Sequence, residues 1–313
     1  MAVLRKDLLG LRFLTSREIE EILELALDMK KALKYRKDVA STLKGKTMVT
    51  LFYEPSTRTR TSFELAGKYL GANVVCIETA TSSVAKGESL IDTARTLDSM
   101  GVDLIAIRHS MTGAPGIVAR EVKASVINAG DGINEHPTQA LLDMLTIMEK
   151  KGRLKGLTVA IVGDVLHSRV ARSNIFGMKK MGMNVRVAGP STLIPPGLDK
   201  LGVEVYSDAD EAVKGVDVVM ALRIQLERQK SGLFPSLREF YRMYGIDEKR
   251  MALAADGAIL MHPGPMNRGI EISYEIADER VCTAEEQVTN GVAVRMALLT
   301  LLSERGISYE NIV

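Results

Sequence analysis

The chain has 313 residues, 46% apolar and 26% charged, with 41 Lys and Arg against 39 Asp and Glu for a net charge of +2. That length suggests two domains of ordinary size, and a near-neutral balance without any Lys/Arg block excludes an electrostatic nucleic-acid binder. The two cysteines, Cys76 and Cys282, and four scattered histidines give no disulfide framework and no metal-ligand spacing, so neither a metal nor a cofactor is expected.

In chain order, the first signal is Thr15-Ser16-Arg17-Glu18, a capping box that opens a helix with Ile19, Ile22, Leu23, Ala26, Met29 and Leu33 on one face. No signal peptide is expected at this start. No apolar run reaches membrane-spanning length, so a cytoplasmic protein with no membrane partner is expected. The run Met48–Tyr53 reads as a buried strand that stops at Pro55 and opens into Ser56-Thr57-Arg58-Thr59-Arg60. A helical pattern follows, with Phe63, Ala66, Tyr69 and Leu70 on one face. Backbone N–H groups at the helix start, three hydroxyls and two guanidiniums together form an anion cradle, most naturally for phosphate. The Gly-rich Lys signature of a nucleotide loop is missing, so the anion need not belong to ATP.

Further strands are expected at Val74–Glu78, Leu104–Arg108 and Ser125–Asn128, then at Thr158–Gly163, Asn184–Ala188, Val203–Tyr206, Val216–Leu222 and Ala258–Met261. Most are continuous runs of Val, Ile, Leu and Ala, which fits strands covered by helices on both faces. The fold class is therefore α/β, with two doubly wound parallel-sheet domains; if their sheet edges face each other, the active site is expected in the cleft between them. Both cysteines lie in apolar contexts and read as buried free thiols. The polar segment Ser82 to Glu88, with the single Lys86, reads by pattern alone as a solvated loop.

A long helix is expected after His136, with Ala140, Leu141, Met144, Leu145 and Met148 on one face, ending near Lys151-Gly152. The domain change is placed there, giving a first domain over 1–150 and a second over 151–286. The segment 287–313 carries a last helical pattern with Val288, Val292, Leu299 and Leu302. Periodicity leaves open which domain receives it, and packing back on the first is the expectation. The stretch Arg228 to Gly245, with Lys230, Ser231, Gly232 and Pro235, reads as a mobile covering loop.

In open parallel sheets ligands bind beyond the carboxyl ends of the strands. The unusual polar residues fall there. Arg58 follows the first strand and Arg108 ends the third, while His136-Pro137-Thr138-Gln139 follows the fourth. In the second half come Gly163-Asp164 with Arg169, then Arg223-Ile224-Gln225, then His262-Pro263-Gly264-Pro265. Gly163-Asp164 lacks a GxGxxG continuation, so a nicotinamide cofactor is not expected. Arginine forks match carboxylate and phosphate oxygens, so several of them at strand ends call for substrates with several negative charges. Some of these arginines are expected to pair with acids such as Glu54, Glu135 or Glu227 in the empty protein.

Taken together, these motifs resemble the transcarbamoylases over essentially the whole chain, and among them the catalytic chains of the aspartate-using branch. Ornithine-using relatives carry His-Cys-Leu-Pro where this chain has His262-Pro263-Gly264-Pro265, and a Ser-Met-Gly loop where it has Arg223 and Gln225. The resemblance implies carbamoyl transfer from carbamoyl phosphate to the α-amino group of L-aspartate, giving N-carbamoyl-L-aspartate and phosphate, a step of pyrimidine biosynthesis. It implies a first domain that binds carbamoyl phosphate and a second that binds aspartate, with the domains closing on their substrates. Ser56, Thr57, Arg58, Thr59 and Arg108 would hold the phosphate. Thr59, Arg108 and His136 would donate to the carbonyl oxygen, and Gln139 with the Pro263 carbonyl, beside Gly264, would accept from the carbamoyl NH2. Arg169, Arg223 and Gln225 would hold the aspartate carboxylates.

The resemblance also reverses the plain reading of the Ser82–Glu88 loop. Ser82 and Lys86 would enter the site of a neighbouring subunit, which implies a homotrimer with shared sites. A regulatory chain or pathway enzyme could dock on such a trimer. The competing readings are a carbamoyltransferase for ornithine or another amine, and a non-catalytic anion-binding subunit.

Overall fold

A computed structural model describes residues 5–78, 87–225, 236–279 and 281–303. Among these residues nine strands are found: β1 (Thr47–Phe52), β2 (Asn73–Glu78), β3 (Leu104–His109), β4 (Ser125–Asp131), β5 (Thr158–Val162), β6 (Asn184–Ala188), β7 (Glu204–Tyr206), β8 (Val218–Ala221) and β9 (Ile259–Met261). The helices are α1 (Ser16–Lys34), α2 (Thr57–Tyr69), α3 (Leu90–Ser99), α4 (Ala114–Glu121), α5 (Pro137–Lys151), α6 (Arg169–Lys180), α7 (Ala209–Val213), α8 (Leu237–Tyr244), α9 (Glu248–Met251), α10 (Tyr274–Ala277) and α11 (Ala284–Ser303).

The chain divides into two compact units, Met1–Leu142 with Val288–Val313, and Asp143–Gln287. The change between these units falls inside α5, which runs on unbroken to Lys151, where the domain change is expected from the sequence. From Val288 onward α11 belongs to the first unit.

The first unit holds a parallel sheet in the order β2-β1-β3-β4. Its central strands are almost wholly buried, as continuous apolar runs require. The capping box forms at α1, where the Thr15 hydroxyl accepts from the Glu18 N–H and the Glu18 carboxylate accepts from the Thr15 N–H. On α2, Phe63, Ala66 and Leu70 are buried as the periodicity predicts, whereas Tyr69 is 45% exposed. Position 69 is only three residues from Ala66, and the buried stripe passes to Leu70 instead. Val288 is likewise 52% exposed, one turn before the buried run of α11 begins. Cys76 is exposed, because β2 is the edge strand, and Cys282 is half-buried.

The second unit holds a parallel sheet in the order β7-β6-β5-β8-β9. Each sheet reverses its strand order at one point, between β1 and β3 in the first and between β5 and β8 in the second. Those reversals open a crevice at the carboxyl ends of the strands. The expected covering loop is corrected at its C-terminal half. Residues Leu237–Tyr244 form α8, capped by Ser236 and anchored by buried Phe240 and Tyr244. Four residues apart on one face, these two aromatics outweigh the polar residues that suggested a loop. Residues 226–235 lie outside the described residues.

Candidate functional site

In the first unit, Phe52 of β1 stands opposite Arg108 of β3, and the Tyr53 N–H donates to the Arg108 carbonyl at 2.8 Å. The chain then turns at Pro55 into α2. Ser56 is the residue before its first turn and makes no side-chain cap, while its carbonyl accepts from the Arg60 N–H at 3.2 Å. Thr57 and Arg58 are exposed, Ser56 is half-buried and Thr59 is buried. Arg60 pairs with Glu64, one turn on, at 3.3 Å. Arg108 pairs with Glu54 at 3.3 Å, the kind of pairing expected in the empty protein.

His136 is buried immediately before α5, and its carbonyl accepts from the N–H groups of Gln139 and Ala140. The loop that presents it is organised by Asp131. This buried carboxylate accepts from the Gly113 N–H at 2.7 Å, Asn128 Nδ2 at 2.8 Å, Asn134 Nδ2 at 3.0 Å and the Glu135 N–H at 3.1 Å. Charge-assisted bonds of this kind hold a loop firmly. Ser56, Thr57, Arg58, Thr59, His136 and Gln139 thus lie beyond the carboxyl ends of β1 and β4, and Arg108 at the carboxyl end of β3.

Beside them, the rings of Tyr53 and His109 stack with centroids 4.6 Å apart. The Met111 N–H donates to His109 Nδ1 at 2.9 Å, which requires that nitrogen to be unprotonated. Burial holds the His109 pKa below the usual 6.5, with Glu54 and Asp131 opposing.

In the second unit, Gly163 ends β5 with φ of 131°, and a Cβ there would lie 2.8 Å from the Leu222 carbonyl oxygen. Only glycine lets the ends of β5 and β8 approach this closely. Asp164 is fully buried and joins the two loops. It meets His167 Nδ1 at 2.9 Å and accepts from the Gln225 N–H at 3.2 Å. Arg169 is buried in the first turn of α6, whose start is capped by the Ser168 hydroxyl accepting from the Ala171 N–H at 3.1 Å. Arg223 donates to Gln225 Oε1 at 3.2 Å, which aligns both side chains.

The third loop follows β9. His262 Nδ1 accepts from the Gly264 N–H at 2.8 Å, and its Nε2 faces Glu271 Oε1 at 3.2 Å. The tautomer follows: Nδ1 is bare and Nε2 carries the proton. The Gly264-Pro265 peptide is cis, and Gly264 has φ of 61°, a left-handed conformation that favours glycine. Pro263 and Gly264 are half-buried. Arg169, Arg223, Gln225, Pro263 and Gly264 therefore lie beyond the carboxyl ends of β5, β8 and β9.

Ser82 and Lys86 lie outside the described residues, as do Glu227 and Arg228. Residues that the sequence did not single out are Asn128, Asp131 and Glu271, which orient the loops from below. An acid between two glycines, as in Gly130-Asp131-Gly132, reads as a turn, and nothing local marks it as a hub.

The family described as aspartate/ornithine carbamoyltransferase, carbamoyl-P binding domain, matches residues 6–149, and its Asp/Orn binding domain matches residues 155–302. The chain is 64% identical over 305 residues to an aspartate carbamoyltransferase catalytic subunit of Acetivibrio thermocellus, covering 97% of this chain and 98% of that one. It is similar to the crystal structure of aspartate transcarbamoylase from Trypanosoma cruzi in complex with carbamoyl phosphate and aspartate, with a TM-score of 0.88 and 31% identity over 96% of this chain and 97% of that one. It is also similar to the ornithine carbamoyltransferase from Pyrococcus furiosus, with a TM-score of 0.84 and 32% identity over 94% and 96% of the two chains.

Proposed function

Since the chain belongs to the aspartate/ornithine carbamoyltransferase family, we propose that it transfers the carbamoyl group of carbamoyl phosphate to the α-amino group of L-aspartate. The products are N-carbamoyl-L-aspartate and phosphate, and the reaction belongs to pyrimidine biosynthesis. The observation that carries the choice of acceptor is the Arg223–Gln225 pair, held to Asp164 at the end of β8, with Arg169 at the start of α6. Two guanidiniums suit a dicarboxylate and repel the side-chain ammonium of ornithine.

In the first unit, Ser56, Thr57, Arg58 and Thr59 receive the phosphate at the start of α2, with Arg108 in support. The uncharged amine attacks the carbamoyl carbon and a C–N bond forms. Negative charge gathers on the carbonyl oxygen, where Arg108, Thr59 and His136 are the donors. The bond from the carbamoyl carbon to the bridging oxygen then breaks, its electron pair leaves with the phosphate, and the phosphate takes the proton lost by the nitrogen. Gln139 and the Pro263 carbonyl accept from the carbamoyl NH2 and fix its plane. The protein works as a cytoplasmic homotrimer in which Ser82 and Lys86 complete a neighbouring site; among the described residues no helix is long and apolar enough to cross a membrane.

An Arg223→Ala variant tests the acceptor assignment. The KM for aspartate is expected to rise by about tenfold or more, since a bidentate charged contact is lost, while inorganic phosphate binds as in the parent. An unchanged KM for aspartate would remove Arg223 from the acceptor site.

A further inference from the structure

Arg295 lies within the apolar helix α11, between the fully buried Val294 and Met296. Its side chain is buried, and none of its contacts among the described residues is a carboxylate. One nitrogen, Nη1, donates to the Ser62 hydroxyl at 2.9 Å and to the Gly291 carbonyl at 2.9 Å. The other, Nη2, donates to the Thr138 hydroxyl at 3.3 Å. The guanidinium lies over the Phe63 ring, 5.0 Å from its centroid, and Nε has no hydrogen-bond partner. Burial pushes its pKa down to about 9, so it stays charged at neutral pH.

A buried cation without a counter-ion is a poor device for stability. Desolvation costs more than neutral hydroxyls and one ring return. Its position suggests another use. Ser62 and Thr59 are three residues apart on the buried face of α2, so the guanidinium sits about one turn behind Thr59. Thr138 lies in the first turn of α5, between the helix entry at His136 and Gln139. The same charge therefore stands behind both helix starts to which the proposed donor site is assigned. In a low-dielectric interior such a charge is little screened.

We propose that Arg295 is a positioning residue for the donor half of the site: its uncompensated charge strengthens anion binding at the starts of α2 and α5, and its fork fixes Ser62 and Thr138 relative to each other. This rests on the reading of the first unit as the carbamoyl phosphate site.

The test compares the parent with Arg295→Gln, Arg295→Met and Arg295→Lys in the full-length chain. Inorganic phosphate binding is measured by calorimetry, the KM values for both substrates by initial rates, and the melting temperature by scanning. Glutamine keeps a donor without the charge, and lysine keeps the charge without the fork. Gln and Met are expected to weaken phosphate binding by about tenfold or more and to raise the KM for carbamoyl phosphate alike, while the KM for aspartate at saturating donor stays within about twofold. Lysine is expected to recover most of the phosphate affinity, with melting temperatures within about 4 °C across the set.

A merely structural role predicts the opposite split, with lower melting temperatures and unchanged phosphate affinity in the folded fraction. Phosphate affinity equal to the parent in R295Q or R295M, or an R295K variant as impaired as R295M, would overturn the inference. A parent that binds no phosphate would instead overturn the reading of the site on which it rests.

Discussion

Arg108 combines a fixed backbone with a half-sheltered side chain. Its carbonyl is tied to Tyr53 across the sheet, and its guanidinium pairs with Glu54. In the proposed reaction its removal would take away a donor to the developing oxyanion, an effect of about 10²–10³ in kcat. Arg108→Ala is therefore expected to lose turnover on that scale while thermal unfolding shifts by only a few degrees; equal loss of fold and activity would remove it from the chemistry. His109 behaves differently. Its folded pKa lies below the unfolded 6.5, so the unfolded chain takes up the proton first on acidification. The stability that this neutral ring contributes is present above pH 6.5 and is lost as the pH falls from there through the folded pKa. His109→Asn, which cannot be protonated, is expected to flatten the pH dependence of chemical denaturation below pH 6.5; an unchanged slope would show that the ring does not titrate on unfolding. At this scale the charged residues at strand ends were legible, because charge after an apolar run is itself anomalous. Asp131 and Arg295 were not: Asp131 sits between two glycines in what reads as an ordinary turn, and Arg295 acts through contacts far away in sequence, with Ser62 and Thr138.

Among the elements, the turn after β5 is the most constrained. A side chain at Gly163 would meet the Leu222 carbonyl and require a strained backbone as well. Gly163→Ala is expected to cost about 1–3 kcal/mol and to raise the KM for aspartate by displacing Arg223; a variant with parental stability and KM would show that the loop relaxes freely. The Ser168 cap of α6 adds a smaller effect. Ser168→Ala should cost about 1 kcal/mol in denaturant unfolding, and no measurable loss would mean that Arg169 is held by other contacts. All nine strands were legible from their apolar runs, as was α5 from its period. Two features were hidden. The helix α8 follows a run whose Lys, Ser, Gly and Pro suggest a loop, and its short apolar face, Phe240 and Tyr244, is too brief to announce a period. The change of unit within α5 leaves no mark in composition, because the helix is buried on both sides of it, from Pro137 to Ile147.

For the whole molecule, the proposed trimer with shared sites makes a prediction that no single chain can meet. Lys86→Ala and Arg108→Ala should each retain only a small residual activity alone. If a site takes Lys86 from one subunit and Arg108 from another, mixed trimers formed by dissociating and reassembling the two variants regain sites with both residues intact. A rise in activity on reassembly is expected, and a mixture no more active than its components would confine each site to one chain. The relation of fold to chemistry cannot discriminate the acceptor by itself, since aspartate and ornithine enzymes share this architecture with TM-scores of 0.88 and 0.84. In the proposed reading the discrimination lies in a few side chains at the ends of β8 and β9. The most direct measurement is therefore to incubate the chain with labelled carbamoyl phosphate and equal concentrations of L-aspartate and L-ornithine, and to identify the labelled product. Label in N-carbamoyl-L-aspartate, released with an equal amount of phosphate, is the expected result; label in carbamoylated ornithine, or in neither amino acid, would contradict it.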